Sequence, residues 1–379
     1  MTLETVVILA AGEGTRMKSQ TPKVLHSIAG RSLVGHVLHA VSALKPAQTR
    51  VVVGSGREKV EAHLAEIAPY VTTVYQEHRG GTGHAAQLAL ADLKPAGTIL
   101  ILAGDTPMLT SDSLRSLVDG HHAGGFTASV LTAEHPDPTG YGRIVRGDDD
   151  SLLRIVEEKD ADVFEKDILE VNSGVYVFDA AKLSSAIGKL RNDNAQGELY
   201  LTDVLEILRN EGGKVAAVCI DDFTEILGVN DRVQLAESAA LLRDRINEDL
   251  MRSGVSIVDP LSTWVDSTST ISQDVVLLPG TAISGSTTIG TGAVIGPRTT
   301  LVNCTVGNGA EVRESFATDS VIGENASVGP FTYLRPGTNL GASSKAGAFV
   351  EMKNASIGEG SKVPHLSYVG DATIGEGSN

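Results

Sequence analysis

The sequence predicts an α/β layered domain, then a linker helix, then a parallel β-helix built from hexapeptide repeats. Three observations carry this. Over residues 1–230 short apolar runs alternate with amphipathic segments. Residues 231–253 keep a helical period with no Gly or Pro. Over 254–379 an apolar residue returns every six positions, often followed by Gly.

The first segment reads as strands at "TVVILAAG", "TRVVVGSG", "TVYQ", "TILILAGD", "ASVLTA" and "NSGVYVFD", each bounded by Gly, Asp or Asn. Between them "REKVEAHLAEIAP" and "GHAAQLALADLK" have helical spacing. Strand–helix alternation predicts a largely parallel sheet, with ligands at the carboxyl ends of its strands. The helix predicted at 231–253 stops at Gly254 and reads as a linker between domains.

The repeat then begins. Ile271, Leu277, Ile283, Ile289, Ile295 and Leu301 are six apart. The phase slips by one at Val306 and continues to Val312. It resumes at Ile322, Val328, Leu334 and Leu340, and again at Ile357, Val363 and Val369. Six residues make one flat face and three faces make one coil, with the apolar residue inward and the glycine at the corner. Known hexapeptide coils wind left-handed, against the usual crossover hand. "RESFATDS" (313–320) and "GASSKAGAFVEMKNAS" (341–356) break the period and are read as loops extruded from the solenoid.

Composition narrows the functional classes. The chain of 379 residues is 41% apolar and 21% charged, as expected of a globular protein with two or three domains. A net charge of −16 disfavours general binding to nucleic acid or anionic membrane, so a phosphate ligand needs local cations and backbone N–H groups. Cys219 and Cys304 lack metal or redox spacing and read as buried small residues in a reducing compartment. No secretory signal or membrane-length apolar run is seen, which makes the cytoplasm the expected location.

The chemistry starts at "LAAGEGTRM", Leu9 to Met17. A dinucleotide site needs a third glycine and an acid ending the second strand; both are missing. The G-K-[ST] of a P-loop is also missing. What remains is a glycine loop able to close around a phosphate chain, with Arg16 and Lys23 to neutralise it. An ordinary strand-to-helix turn with two surface cations is the plainer alternative. Asp105, after "ILILAG", is either a Mg²⁺ ligand or a helix N-cap.

The ordered set "LAAGEGTRM", Gln76, "GTGHA", "GYGRIV", "IVEEKDA", "EVNSGVY", "NAQGELYLTD" and "GVNDR", followed by hexapeptides, resembles one family across the whole chain. This is the bacterial family joining an N-acetylglucosamine-1-phosphate uridylyltransferase to a glucosamine-1-phosphate N-acetyltransferase. The resemblance implies a Rossmann-like nucleotidyltransferase domain and a left-handed parallel β-helix. It also implies Mg²⁺-dependent transfer of UMP from UTP to N-acetylglucosamine-1-phosphate. The products would be pyrophosphate and UDP-N-acetylglucosamine, a precursor for peptidoglycan and lipopolysaccharide-type envelope synthesis. Residue by residue, it implies uridine and nucleotide contacts at Leu9, Ala10, Ala11, Gly12, Gln76, Gly81, Thr82 and Gly104. Arg16 and Lys23 would meet the phosphates. Gly142, Glu157 and Asn172 would hold the sugar, and Asp105 with Asn230 would hold Mg²⁺. "LAGD" stands where an aromatic-Gly-Asp is frequent, and Ala103 is expected to offer backbone only.

For the second activity the resemblance implies His365 as the base, with Arg335, Lys353, Tyr368 and Asn379 on the substrate and acetyl-CoA as co-substrate. Taken alone, His365 reads equally as a surface residue. Pro364 is expected at a coil corner. A homotrimer formed through the β-helix is also implied. The sequence stops at Asn379 midway through "IGEGSN", so the expectation is a C-terminally truncated chain with lost or reduced acetyl transfer. Two other readings stay open: a pyrophosphorylase for another sugar with the solenoid as a regulatory or oligomerising module, and a non-catalytic scaffold whose β-helix mediates assembly.

Overall fold

The computed structural model describes residues 3–94 and 96–379. The chain divides into two compact units, residues up to 26 with 32–238, and residues 27–31 with 239–379.

The first unit is built on a nine-stranded sheet. Its strands are β1 (Leu3–Ala10), β2 (Gln48–Val53), β3 (Thr72–Tyr75), β4 (Thr98–Ala103), β5 (Ala128–Glu134), β6 (Arg143–Arg146), β7 (Leu152–Val156), β8 (Glu170–Asp179) and β9 (Val215–Ile220). The order is β9-β5-β8-β4-β1-β2-β3, with β6 paired to β8 and β7. β1 runs parallel to β2 and β4, and β2 to β3. β8 is antiparallel to both β4 and β5, so the largely parallel sheet carries one reversed central strand. The β1 run is continuously apolar because both sheet faces are covered. Val6 and Ile8 pack into one core with Val51, Val53, Leu100 and Leu102. Val7, between them, packs into the other with Val52, Ile99 and Ile101.

The predicted linker helix runs Arg232–Arg252, and Gly254 follows it at φ +100°, a left-handed stop that glycine adopts without penalty.

The second unit is a left-handed parallel β-helix of three seven-stranded sheets, each with strands stacked in parallel register. One sheet stacks Ile257, Leu277, Ile295, Val312, Val328, Ala346 and Val363. The second stacks Val265, Ile283, Leu301, Ala317, Leu334, Met352 and Val369. The third stacks Ile271, Ile289, Val306, Ile322, Leu340, Ile357 and Ile374.

This corrects the reading of the two period breaks. Neither is an extruded loop: "RESFATDS" contributes the strand Phe316–Thr318, and the second break contributes Lys345–Ala348 and Glu351–Lys353. Their inward residues are Ala317, Ala346 and Met352, all fully buried, so the rungs continue with alanine or methionine where other coils place Ile, Leu or Val. Buried hydroxyls tie the corners: Thr332 donates to the Gly347 carbonyl and Thr338 to the Arg335 carbonyl, each at 2.7 Å. Pro364 lies within the strand Lys362–His365 rather than at a corner. The register pairs Ala346 with Val363 and Ala348 with His365, passing over the proline, which has no N–H to give. Cys304 is buried as expected, whereas Cys219 is exposed. The edge strand β9 leaves it on the open side.

Candidate active site

A cavity of about 360 Å³ opens at the carboxyl ends of β1, β3 and β4 in the first unit. Leu9, Ala10, Ala11, Gly12, Lys23, Gln76, Gly81, Thr82, Asp105, Glu157 and Asn172 line it. Strand register sets this convergence. Leu9 pairs with both Val52 and Ala103, and the Gly104 amide donates to the Leu9 carbonyl at 2.9 Å, so the β1 and β4 loops leave the sheet side by side. The loop closes tightly at Gly14, where φ is +62° and a Cβ would come within 2.6 Å of the Lys23 Cβ. The Gln76 amide donates to the Gly81 carbonyl at 3.2 Å, which holds it against the floor.

Lys23, Asp105 and Asn230 form the polar end. The Lys23 ammonium pairs with the Asp105 carboxylate and donates to the Asn230 side-chain oxygen at 3.2 Å. Asn230 reaches this place from far along the chain because the Val229 amide donates to the Asp105 main-chain carbonyl at 3.0 Å. Asp105 caps no helix: the N-cap of Ser111–Gly124 is Thr110. The two side-chain oxygens therefore converge on one cationic atom. Among the described residues no cluster of three or more His, Cys, Asp or Glu side chains could hold a metal. Two hard oxygens are what a Mg²⁺ ion completing its shell with phosphate and water requires.

The opposite wall is Glu157, which follows β7, with Asn172, Gly174 and Tyr176 of β8; Gly142, just before β6, is beside them but not among the lining residues. Gly142, Glu157 and Asn172 sit together: the Asn172 amide donates to the Gly142 carbonyl at 2.9 Å, and a Cβ on Gly142 would lie 3.4 Å from Glu157 Oε2. Glu157 accepts from the Thr202 hydroxyl at 3.1 Å, and burial raises its pKa above the usual carboxylate range. Asn172 Nδ2 donates to the buried Tyr176 hydroxyl at 2.7 Å. Arg16 stands apart, exposed on the turn Thr15–Met17 and not among the lining residues.

Sequence reasoning missed the polar lining residues Arg79, Tyr176, Glu198 and Thr202, along with Val24, Ala85, Gly174 and Leu201. Arg79 forms an ion pair with Glu13 of the glycine loop. A cation directly before the Gly80-Gly81 pair at a strand end was the available signal.

In the second unit Arg335, Lys353 and Tyr368 fall on adjacent coils of one sheet, where the register pairs Glu351 with Tyr368 and Lys353 with Gly370. Arg335 donates to Glu351 at 3.0 Å. His365 ends the preceding strand, with only Leu366 and Ser367 between it and the strand that begins at Tyr368. It is exposed, as are Tyr368 and Lys353. Asn379 is not on this sheet: the Lys362 amide donates to the Ser378 carbonyl at 2.8 Å, which puts residues 378–379 alongside the start of the Lys362–His365 strand.

Residues 6–187 match the model of the MobA-like NTP transferase domain. The chain is 55% identical to the bifunctional protein GlmU of Streptomyces avermitilis over 377 residues, 99% of this chain and 78% of that protein. It is 55% identical to that of Corynebacterium efficiens, covering the same shares, and 51% identical to that of Mycolicibacterium smegmatis, covering 99% and 79%. The chain belongs to the GlmU family. Enzymes of this family are bifunctional, combining a uridylyltransferase with a glucosamine-1-phosphate acetyltransferase, and their role at family level is UDP-N-acetylglucosamine synthesis for cell wall assembly. The nucleotidyltransferase match ends at residue 187, yet Glu198, Thr202 and Asn230 beyond it still take part in the site.

Behind Glu157 lies a second, acidic cavity that includes Asp160, Asp193 and Asp203. Burial, with help from Glu206, Asp160 and Asp193, pushes the Asp203 carboxyl up to about 6 from its ordinary 3.8. Between those values the folded chain binds a proton that the unfolded chain has released, so stability falls as pH rises through that window. Asp203→Asn should therefore raise the melting temperature above pH 6, by about 2–4 °C, and the gain should vanish below pH 4. Thermal melts across pH check this; an equal gain at all pH values would refute it.

Proposed function

We propose that the first unit transfers UMP from UTP to N-acetylglucosamine-1-phosphate, with Mg²⁺ held by Asp105 and Asn230. The observation that carries this reading is the convergence of those two oxygens beside Lys23, at the end of a cavity floored by a glycine loop. Backbone groups of Leu9–Gly12 with Gln76, Gly81 and Thr82 hold the uridine, and Gly104 keeps the two loops adjacent. Gly142, Glu157 and Asn172 take the sugar. Its phosphate oxygen attacks the α-phosphorus in line, the bond to the β-phosphate oxygen breaks, and pyrophosphate leaves. No protein nucleophile is needed, because positioning and charge neutralisation carry phosphoryl transfer. Bound Mg²⁺ supplies charge neutralisation at the phosphates. Lys23 neutralises phosphate charge from within the cavity, Arg79 stands at its wall, and Arg16 approaches from the exposed turn.

For the second unit we propose acetyl transfer from acetyl-CoA to glucosamine-1-phosphate, with His365 taking the amine proton. Arg335 and Lys353 hold the phosphate, and Tyr368 and Asn379 bond sugar or phosphate oxygens. Asn379 joins the others most readily if a second copy supplies it. An exposed apolar ridge, with Phe331 and Phe349 stacked at 5.1 Å between centroids and Phe316 against Tyr333 at 5.4 Å, suits the homotrimer. Among the described residues no helix is long and apolar enough to cross a membrane. We propose the cytoplasm, where UTP is made available, as the place of work.

A pyrophosphate-release assay tests the first reading. UTP with N-acetylglucosamine-1-phosphate should exceed any other nucleotide or glucose-1-phosphate by at least about 10²-fold in kcat/KM, and EDTA should abolish release. Equal use of glucose-1-phosphate would favour a pyrophosphorylase for another sugar.

A further inference from the structure

Among the described residues Arg143 is the largest side chain buried almost completely, at 2% exposure. Its guanidinium donates to Glu158 Oε2 at 2.7 Å and to the Tyr141 carbonyl. The same Glu158 oxygen accepts from the Gly140 amide at 3.2 Å. The Arg143 Nε is buried with no partner. Burying one charge against a single half-buried carboxylate, with a donor left over, is unfavourable compared with an apolar side chain of the same size. Packing alone therefore does not account for it.

Its place in the sheet does. The Arg143 backbone pairs with Val156 of β7 and Val171 of β8. The next residues along those strands are Glu157 and Asn172. Directly before Arg143 stands Gly142, whose carbonyl accepts from Asn172. The Arg143 backbone is thus one residue from each of the three residues of the sugar wall, and its guanidinium bonds lie in the turn next to Gly142 and in the segment next to Glu157. Its planar fork ties the 140–142 turn to the segment that starts at Glu157, a geometry an ammonium cannot reproduce.

We infer that the Arg143–Glu158 pair is a positioning device that sets Gly142, Glu157 and Asn172 for the sugar phosphate; this rests on the uridylyltransferase reading. None of the pair's own hydrogen-bond partners lies on β1, β3 or β4, the nucleotide side of the cavity, although the Tyr141 ring of the same turn reaches toward Gly228 and Asp105. The pair therefore acts mainly on the sugar phosphate.

Steady-state kinetics of Arg143→Lys, Glu158→Gln and their combination test it, with melting curves as a fold control. In each folded variant the KM for N-acetylglucosamine-1-phosphate should rise about tenfold, the KM for UTP should stay within about twofold, and the double variant should be no worse than the worse single one. An unchanged sugar KM in a folded variant, or parallel rises in both KM values, overturns the inference. If Arg143→Lys does not fold, Glu158→Gln decides alone, since its carboxylate is partly solvent-exposed. Asn172→Ala separates the two levels. If it raises the sugar KM and the pair variants do not, only the inference fails. If it changes nothing either, the sugar-wall reading fails and the inference with it.

Discussion

Asp105→Ala is expected to lower uridylyl transfer on the order of 10³-fold or more while leaving the first unit folded. Among the described residues the Asp105 carboxylate is the anionic group bonded to the Lys23 ammonium, which also meets the Asn230 carbonyl. Without it, the remaining neutral carbonyl holds a divalent cation poorly. The fold should persist because Asp105 holds its surroundings through the main chain: its carbonyl accepts from Val229, and alanine keeps that bond. Lys23, 12% exposed, loses its charged partner and keeps only the Asn230 oxygen, so a modest fall in melting temperature is expected. Initial rates with Mg²⁺ titration and circular dichroism are the measurements. Turnover within tenfold of wild type, with the same Mg²⁺ dependence, would sink the assignment.

Gly347→Val is expected to destabilise the β-helix by about 3 kcal/mol or more and to displace His365. A Cβ at Gly347 would fall on the Pro364 carbonyl oxygen, which is backbone and cannot swing away as a side chain end can. Proline pins that stretch further by fixing its own φ. Relief must come from shifting Pro364, and His365 is the next residue in the same strand. The Gly347 carbonyl also accepts the buried Thr332 hydroxyl, so movement of Gly347 strands a polar group in the corner. Urea melts of the variant, with glucosamine-1-phosphate binding by calorimetry, test this. Wild-type stability would show that the coils have slack that the packed rungs do not suggest.

These two sites differ in how far they could be read from sequence. Asp105 announced itself: an apolar strand ending in Gly-Asp is a local pattern, and so is the glycine loop that ends β1. Gly347 sat in a stretch read as a loop. Its neighbours Ala346 and Ala348 carry too little apolar character for a six-residue period to register, although Ala346 is fully buried. Ala317 hid the other break in the same way. A rung of the solenoid is defined by what stacks above and below it, about seventeen residues away, and not by its neighbours in sequence.

The sequence by itself determined the two architectures, the helix between them and the family, because strand, helix and coil periods are properties of neighbouring residues. It also named most of the residues that line the cavity. Only the tertiary structure decided which of these meet. Lys23, Asp105 and Asn230 converge because parallel register aligns the β1 and β4 loops and one main-chain bond from Val229 brings the third residue in. The same register left Arg16 outside the cavity wall, admitted Arg79, and set Arg143 beside the sugar-facing residues. Such encounters depend on how strands far apart in sequence are paired, and no local pattern encodes that pairing.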